Sequence, residues 1–212
     1  MIAESDNFFW VELAKATLKL VLASVLIGLF HQYDSWLMVF LLGFIALRLF
    51  VKVIHNFKDH KVLFIGMLFT GVFGFSIEFW GVTNGYWAYH DLSGGREFPA
   101  WLFLAWIMAF YFLYQLECRL VILMKSKSLK SKLWLTLWIS MFFPVLGEII
   151  TINLGVWTYH LPFQFFGVPL YAILGLIVLH MLVNIAMIFI CKKWNIRDPL
   201  YSLNEPTERL NY

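Results

Sequence analysis

Residues 62–77 read VLFIGMLFTGVFGFSI, sixteen consecutive positions without Asp, Glu, Lys or Arg, and Glu78 closes the run. A helix of about 20 apolar residues spans the ~30 Å hydrocarbon layer of a bilayer, and this run, opened by Lys61 and carried on to Thr83, has that length. Residues 20–30 and 35–47 are equally free of charge. Of the 212 residues, 61% are hydrophobic and 14% charged, against roughly 25% charged in soluble domains. The solvent for most side chains is therefore lipid or other helices.

Apolar windows predict an all-α integral membrane bundle of about six transmembrane helices, near residues 10–31, 35–54, 62–83, 99–123, 133–154 and 168–191. All connections are short, so residues 1–212 read as a single transmembrane domain. Glu4, Asp6 and Glu12 precede the first run and no small-x-small site follows Phe30, which predicts a retained helix instead of a cleaved signal.

The net charge of +3 is small and scattered, which argues against nucleic acid as a partner and leaves the lipid bilayer. Its placement is informative. Arg48, Lys52, Lys58 and Lys61 flank the second connection, Arg119, Lys125, Lys127, Lys130 and Lys132 the fourth, and Lys192, Lys193, Arg197 and Arg209 the tail. The first, third and fifth connections hold one basic residue, Arg96. Basic loops stay in the cytoplasm, so both termini are expected there in a multi-pass topology. Cys118 and Cys191 lie in apolar stretches without metal-type spacing and read as packing residues.

At an offset of 70 residues Glu78, Gly85, Trp87, Tyr89, His90 and Pro99 meet Glu148, Gly155, Trp157, Tyr159, His160 and Pro169 without a gap. Six matches at one offset predict an internal parallel two-helix repeat, its copies at about 61–124 and 132–193. Each copy reads as a helix, an aromatic exit, a loop and a proline opening the next helix. Both copies start from the same side, so an axis along the membrane normal relates them. Glu78 follows Lys61 by 17 residues and Glu148 follows Lys132 by 16, which at ~1.5 Å per residue puts both carboxyls about 25 Å from the cytoplasmic edge. They fall just inside the outer boundary.

A carboxylate at that depth costs a few kcal/mol, about 3 on insertion scales, so it is expected to face a cavity or a partner. Glu78 and Glu148 are accordingly the candidate catalytic residues, as proton donor and acceptor. The plainer reading is that each merely bonds to the exit-loop backbone or to the nearby Trp and Tyr of its own repeat. Gly85 and Gly155 end the helices, after which Trp87 and Tyr89, and Trp157 and Tyr159, alternate in extended segments. Interfacial Trp and Tyr anchor many membrane proteins; as pocket walls beside an acid they would stabilise a developing carbocation. With Trp80, Asn84, His90, Asn153 and His160 they form the candidate substrate-binding set.

His90 and His160 each lie twelve residues past their glutamate across a helix break, with no i, i+3 or i+4 pair among the four. No metal and no cofactor are expected on that spacing. His180 with Asn184, and Gln115 with Glu117, read as helix-to-helix hydrogen bonding, and Glu117 with Arg119 as a pair snorkelling to the inner edge.

Glu78-Phe-Trp-Gly81-Val-Thr-Asn-Gly85 followed by Trp87-Ala-Tyr89 resembles the Glu-x-x-Gly and Gly/Tyr exit of the carotenoid 1,2-hydratase family. Gly167-Val168-Pro169-Leu170 is similar to its Gly-Val-Pro-Leu, and Pro99 through Trp106 to its Pro-to-Trp helix start. Gly155-Val156-Trp157-Thr158-Tyr159 also resembles the Gly-x-Trp-x-Tyr segment of the integral-membrane lycopene cyclase domain, itself built of duplicated three-helix units carrying an acid before that segment. The resemblance covers about residues 70–175. Where the cyclase domain follows its loop proline with paired glutamates, this chain has Ala100-Trp101 and Leu170-Tyr171. The resemblance implies a carotenoid- or terpenoid-modifying enzyme of lyase or isomerase type, starting by protonation of an alkene in an isoprenoid lipid. Hydration, cyclisation and isomerisation share that step. A non-enzymatic lipid, cation or proton carrier is the rival, and a structural partner subunit, with glutamates facing different ways, the third.

Overall fold

Lys61–Thr83 forms one unbroken helix, as its apolar run predicts. The computed structural model describes residues 2–56, 61–124, 126 and 128–201, and the chain is all-α apart from short strand pairs at one end. In order the elements are α1 (Ile2–Phe30), α2 (Asp34–Asn56), α3 (Lys61–Thr83), β1 (Trp87–Tyr89), α4 (Leu102–Leu123), α5 (Leu129–Asn153), β2 (Trp157–Tyr159), β3 (Gln164–Phe165), β4 (Val168–Pro169) and α6 (Leu170–Trp194).

Five helical stretches are long and apolar enough to cross a membrane, the first a 44-residue run, Asn7–Phe50, and the others α3, α4, α5 and α6. The 44-residue run holds α1 and α2, joined through a 3₁₀ turn at His31–Tyr33. Large apolar side chains point outward along the bundle, among them Leu22, Leu68, Phe142, Leu182 and Phe189. That much exposed apolar surface calls for lipid around it.

α3 packs most extensively against α4 because glycines open its face: a Cβ on Gly66 would stand 2.0 Å from the Phe110 ring, and one on Gly74 2.3 Å from Trp106. Near-zero exposure at Phe110, Val121 and Met187 marks the core between α3, α4 and α6. Ser128 caps α5, its hydroxyl accepting from the Ser131 N–H at 3.2 Å.

Helix starts differ from the sequence reading. Pro99 opens a turn in which Leu102 N–H donates to its carbonyl, so α4 begins at Leu102. Val168 and Pro169 pair with Gln164 and Phe165 in a hairpin, which delays α6 to Leu170 with Pro169 as its N-cap. Lys132, read as a loop cation, is buried, its Nζ donating to the Pro199 carbonyl at 2.8 Å. Glu117 does not snorkel: it is fully buried and bonded to His180, while Arg119 pairs with Glu12 at 3.2 Å. Lys58, Lys125, Lys127 and Arg209 lie outside the described residues.

Candidate functional site

Glu78 and Glu148 each sit five residues before the end of their helix, at Thr83 and Asn153, about 7.5 Å of helix rise from it. Gly85 and Gly155 then take positive φ, +71° and +81°, which a side chain would strain. Released there, the two exits run toward each other. β1 and β2 pair antiparallel, with Trp87 opposite Tyr159, Ala88 opposite Thr158 and Tyr89 opposite Trp157. His90 N–H donates to the Val156 carbonyl at 3.0 Å and His160 N–H to the Tyr86 carbonyl at 2.8 Å, the same bond twice at an offset of 70.

This pairing fixes the aromatics over the acids. Trp87 Nε1 and Tyr89 Oη donate to Glu78 Oε2 at 2.8 and 2.9 Å, and Tyr159 Oη donates to Glu148 Oε2 at 3.0 Å. Trp87 meets Tyr159 ring to ring at 5.4 Å and Tyr89 meets Trp157 at 5.5 Å, so each half's tyrosine packs on the other's tryptophan. Burial first, and then Glu78, hold the Tyr89 phenol well above its ordinary range; burial and Glu148 do the same for Tyr159. Both stay donors at neutral pH.

The halves differ at the place three residues after each acid. In the first, a glycine three residues after the acid lets the Trp87 indole lie on α3, for a Cβ on Gly81 would stand 1.8 Å from its Cη2. In the second, that place is Thr151, whose hydroxyl donates to the Gly147 carbonyl of its own helix at 2.9 Å.

Two cavities meet at the glutamates. One chamber of about 350 Å³ is lined by both acids and by Trp80, Tyr86, Tyr171 and Gly175, with Trp80 and Tyr171 exposed on the bundle surface. A second chamber of about 200 Å³ is lined by both acids and by Tyr89, Trp101, Trp157 and Leu176, and reaches Thr70 and His180. Small or helix-perturbing residues on its wall, Ala105, Ala109, Pro144 and Gly147, leave that room. Most of both linings is carbon, as in lipid-binding pockets.

Of the sequence candidates, Glu78, Glu148, Trp80, Trp87, Tyr89, Trp157 and Tyr159 line these chambers. The other four do not. Asn84 and Asn153 donate back to the carbonyls of Trp80 and Ile149, both at 2.7 Å, and so finish their helices. His90 meets the Thr158 hydroxyl at 2.7 Å across the strands, and His160 holds the sheet through its backbone. Among the described residues no three His, Cys, Asp or Glu side chains converge.

Sequence reasoning missed Trp106, Tyr171, Gly175 and Trp101, all chamber-lining. It also missed Asp34, a buried carboxylate that accepts from Ala100 N–H at 2.7 Å and pairs with Arg96 at 2.5 Å, pinning the loop between β1 and α4. The signal available was Arg96 itself, the lone cation in connections otherwise free of Lys and Arg. No known protein family, characterised protein or solved structure matches the chain.

Proposed function

We propose that the chain is a membrane-embedded enzyme carrying out acid-initiated chemistry on a carotenoid- or isoprenoid-type lipid: hydration, cyclisation or double-bond isomerisation. One observation carries this reading: two half-buried carboxylates share two largely apolar cavities that have aromatic rings in their walls. Protonation of an alkene needs a carboxylic acid out of water and faces that tolerate positive charge. Glu148, with its bond from Tyr159, is the proton donor in this scheme, and Glu78, with Trp87 and Tyr89 both donating to one oxygen, is the base that removes a proton or activates water.

The topology belongs to the same proposal. α1 and α2 each cross the bilayer, giving six passes with both termini in the cytoplasm, and the strand end faces outside. Substrate enters sideways from the outer leaflet between α3 and α6, past Trp80 and Tyr171. The internal duplication is supported by the bonds that recur at an offset of 70 and by the paired exits. Both glutamates lining the same chambers also argues against a merely structural subunit.

The test is turnover in deuterated water. Purified protein in nanodiscs, offered acyclic carotenes and shorter polyprenes, should yield a product that gains deuterium at carbon and whose composition, deuterium for hydrogen aside, is that of its precursor or of its precursor plus one water. Absence of any such product across the panel counts against the enzyme.

The carrier reading is favoured by one observation, the buried His180–Glu117 bond in the half of the bundle away from the strands. Proton or cation flux through liposomes that stops in Glu78→Gln would support it.

A further inference from the structure

The loop after β2 turns back through residues that do not make the turn easy. Phe165 pairs with Val168, so Phe166 and Gly167 form the turn between β3 and β4, both at positive φ, +49° and +87°. Hairpin turns with two such residues favour Asn-Gly or Asp-Gly, because a bulky side chain is strained there. Here a phenylalanine takes the first place, and Phe163 has positive φ as well, +58°. Phe163, Phe165 and Phe166 are 76%, 60% and 68% exposed. Strain kept for three rings that lie this open points to a partner outside the chain.

The backbone beneath the rings is held in place. Gln164 Nε2 donates to the Tyr159 and Leu161 carbonyls at 3.0 and 2.9 Å, and Leu170 N–H donates to the Phe163 carbonyl at 3.0 Å. At the tip, Asn153 Nδ2 donates to the Phe166 carbonyl at 3.4 Å, and a Cβ on Gly167 would stand 2.9 Å from Ile152. The tip is therefore level with the last turn of α5. That helix has 25 residues, about 37 Å of rise against ~30 Å of hydrocarbon, so its end reaches the boundary between acyl chains and headgroups. An apolar stripe starts at the residue that follows the hairpin: Leu170, Leu174, Val178, Leu182, Ile185 and Phe189 are all exposed along α6 at helical spacing. The rings extend this lipid-facing surface.

The first half carries no such surface. At the offset of 70, Phe163, Phe165 and Phe166 meet Ser93, Gly95 and Arg96, and Arg96 is tied to Asp34. We propose that the Phe163–Phe166 hairpin inserts its rings among the acyl chains of the surrounding bilayer, while the matching loop of the first half stays in water. Phenylalanine has no polar edge to leave among the headgroups, as Trp and Tyr have, so its ring gains by passing beyond them. Leu161 and Tyr171, which flank the hairpin in sequence, both line the larger chamber. The inserted rings thus bring lipid to the edge of that chamber. This rests on the helices crossing a bilayer and is independent of any chemistry at the glutamates.

The test is fluorescence quenching of the full chain in phosphatidylcholine nanodiscs whose lipids carry a doxyl group near the top of one acyl chain. Cys118 and Cys191 are buried, so a nitrobenzoxadiazole label can be directed to Phe165→Cys in the hairpin or to Glu97→Cys in the exposed loop of the first half. The label at position 165 should lose most of its emission to the doxyl lipid and little to iodide in the buffer. At position 97 the order should reverse. Phe163→Cys repeats the reading at a second place in the hairpin, in case either variant folds poorly. Hairpin labels quenched by iodide as fully as the label at position 97 would overturn the insertion. Hairpin labels reached by neither quencher would overturn it too, since a second copy of the chain would then cover the rings.

Discussion

The indole of Trp87 occupies the space that a side chain at Gly81 would need, with 1.8 Å between its Cη2 and a Cβ built there. From that seat its Nε1 reaches Glu78 one helical turn back, at 2.8 Å. Gly81→Ala is therefore expected to push the indole out and remove its bond, costing about 1–3 kcal/mol as overpacking does. Thermal unfolding in detergent and tryptophan fluorescence would read it. Thr151→Ala, at the matching place in the second half, has no ring to displace and should cost well under half as much.

The two tyrosines are predicted to differ in importance. Tyr159→Phe removes the 3.0 Å bond to Glu148 and leaves it the weaker approach of Trp157, whereas Tyr89→Phe leaves Glu78 with the 2.8 Å donation from Trp87. A hydrogen bond to a charged group is worth about 1.5–3 kcal/mol, so Tyr159→Phe should slow turnover roughly 10- to 100-fold. Tyr89→Phe should slow it less. Comparing kcat for the two variants on one substrate decides the matter.

Arg96 pairs with an Asp34 side chain that has no solvent exposure. Removing the cation strands a buried carboxylate, which costs about 3 kcal/mol. Arg96→Met should lower the unfolding midpoint accordingly. Arg96→Met with Asp34→Asn should recover part of the loss, because the stranded charge is then gone.

Stability of the tail should fall as pH rises. Asp198 is buried and accepts from the Tyr114 hydroxyl at 2.5 Å and from the Leu200 and Tyr201 N–H groups at 2.8 and 3.0 Å. Burial outweighs these bonds and raises its carboxyl above the ordinary value of 3.8. The folded state thus holds this proton more tightly than the unfolded chain. Its contribution is full below 3.8 and is lost as pH climbs through the raised value. Proteolysis at the tail should accelerate over that window in the wild type and lose this dependence in Asp198→Asn.

The helices were legible because each is one long apolar run between charges, and Glu78, Glu148 and their aromatics because the second half repeats them at a fixed offset. Pairing was not legible. Three-residue strands such as Trp87–Tyr89 have no pattern of their own to declare a partner, and only the fold brings β1 to β2. Glu117 misled for a related reason: Arg119 is two residues away in sequence, yet on a helix it faces elsewhere, and the true partner His180 lies 63 residues on. Gly175 carries no signal in sequence because its contribution is an empty volume.

The central claim is that the glutamate pair performs proton chemistry on a lipid, and the most direct measurement is mass spectrometry of lipid extracts from cells supplied with acyclic isoprenoid precursors. Cells expressing the wild type, Glu78→Gln or Glu148→Gln at matched protein levels would be compared. The account predicts a product isomeric with its precursor, or heavier by one water, in the wild type alone. The same product persisting in either variant would contradict it.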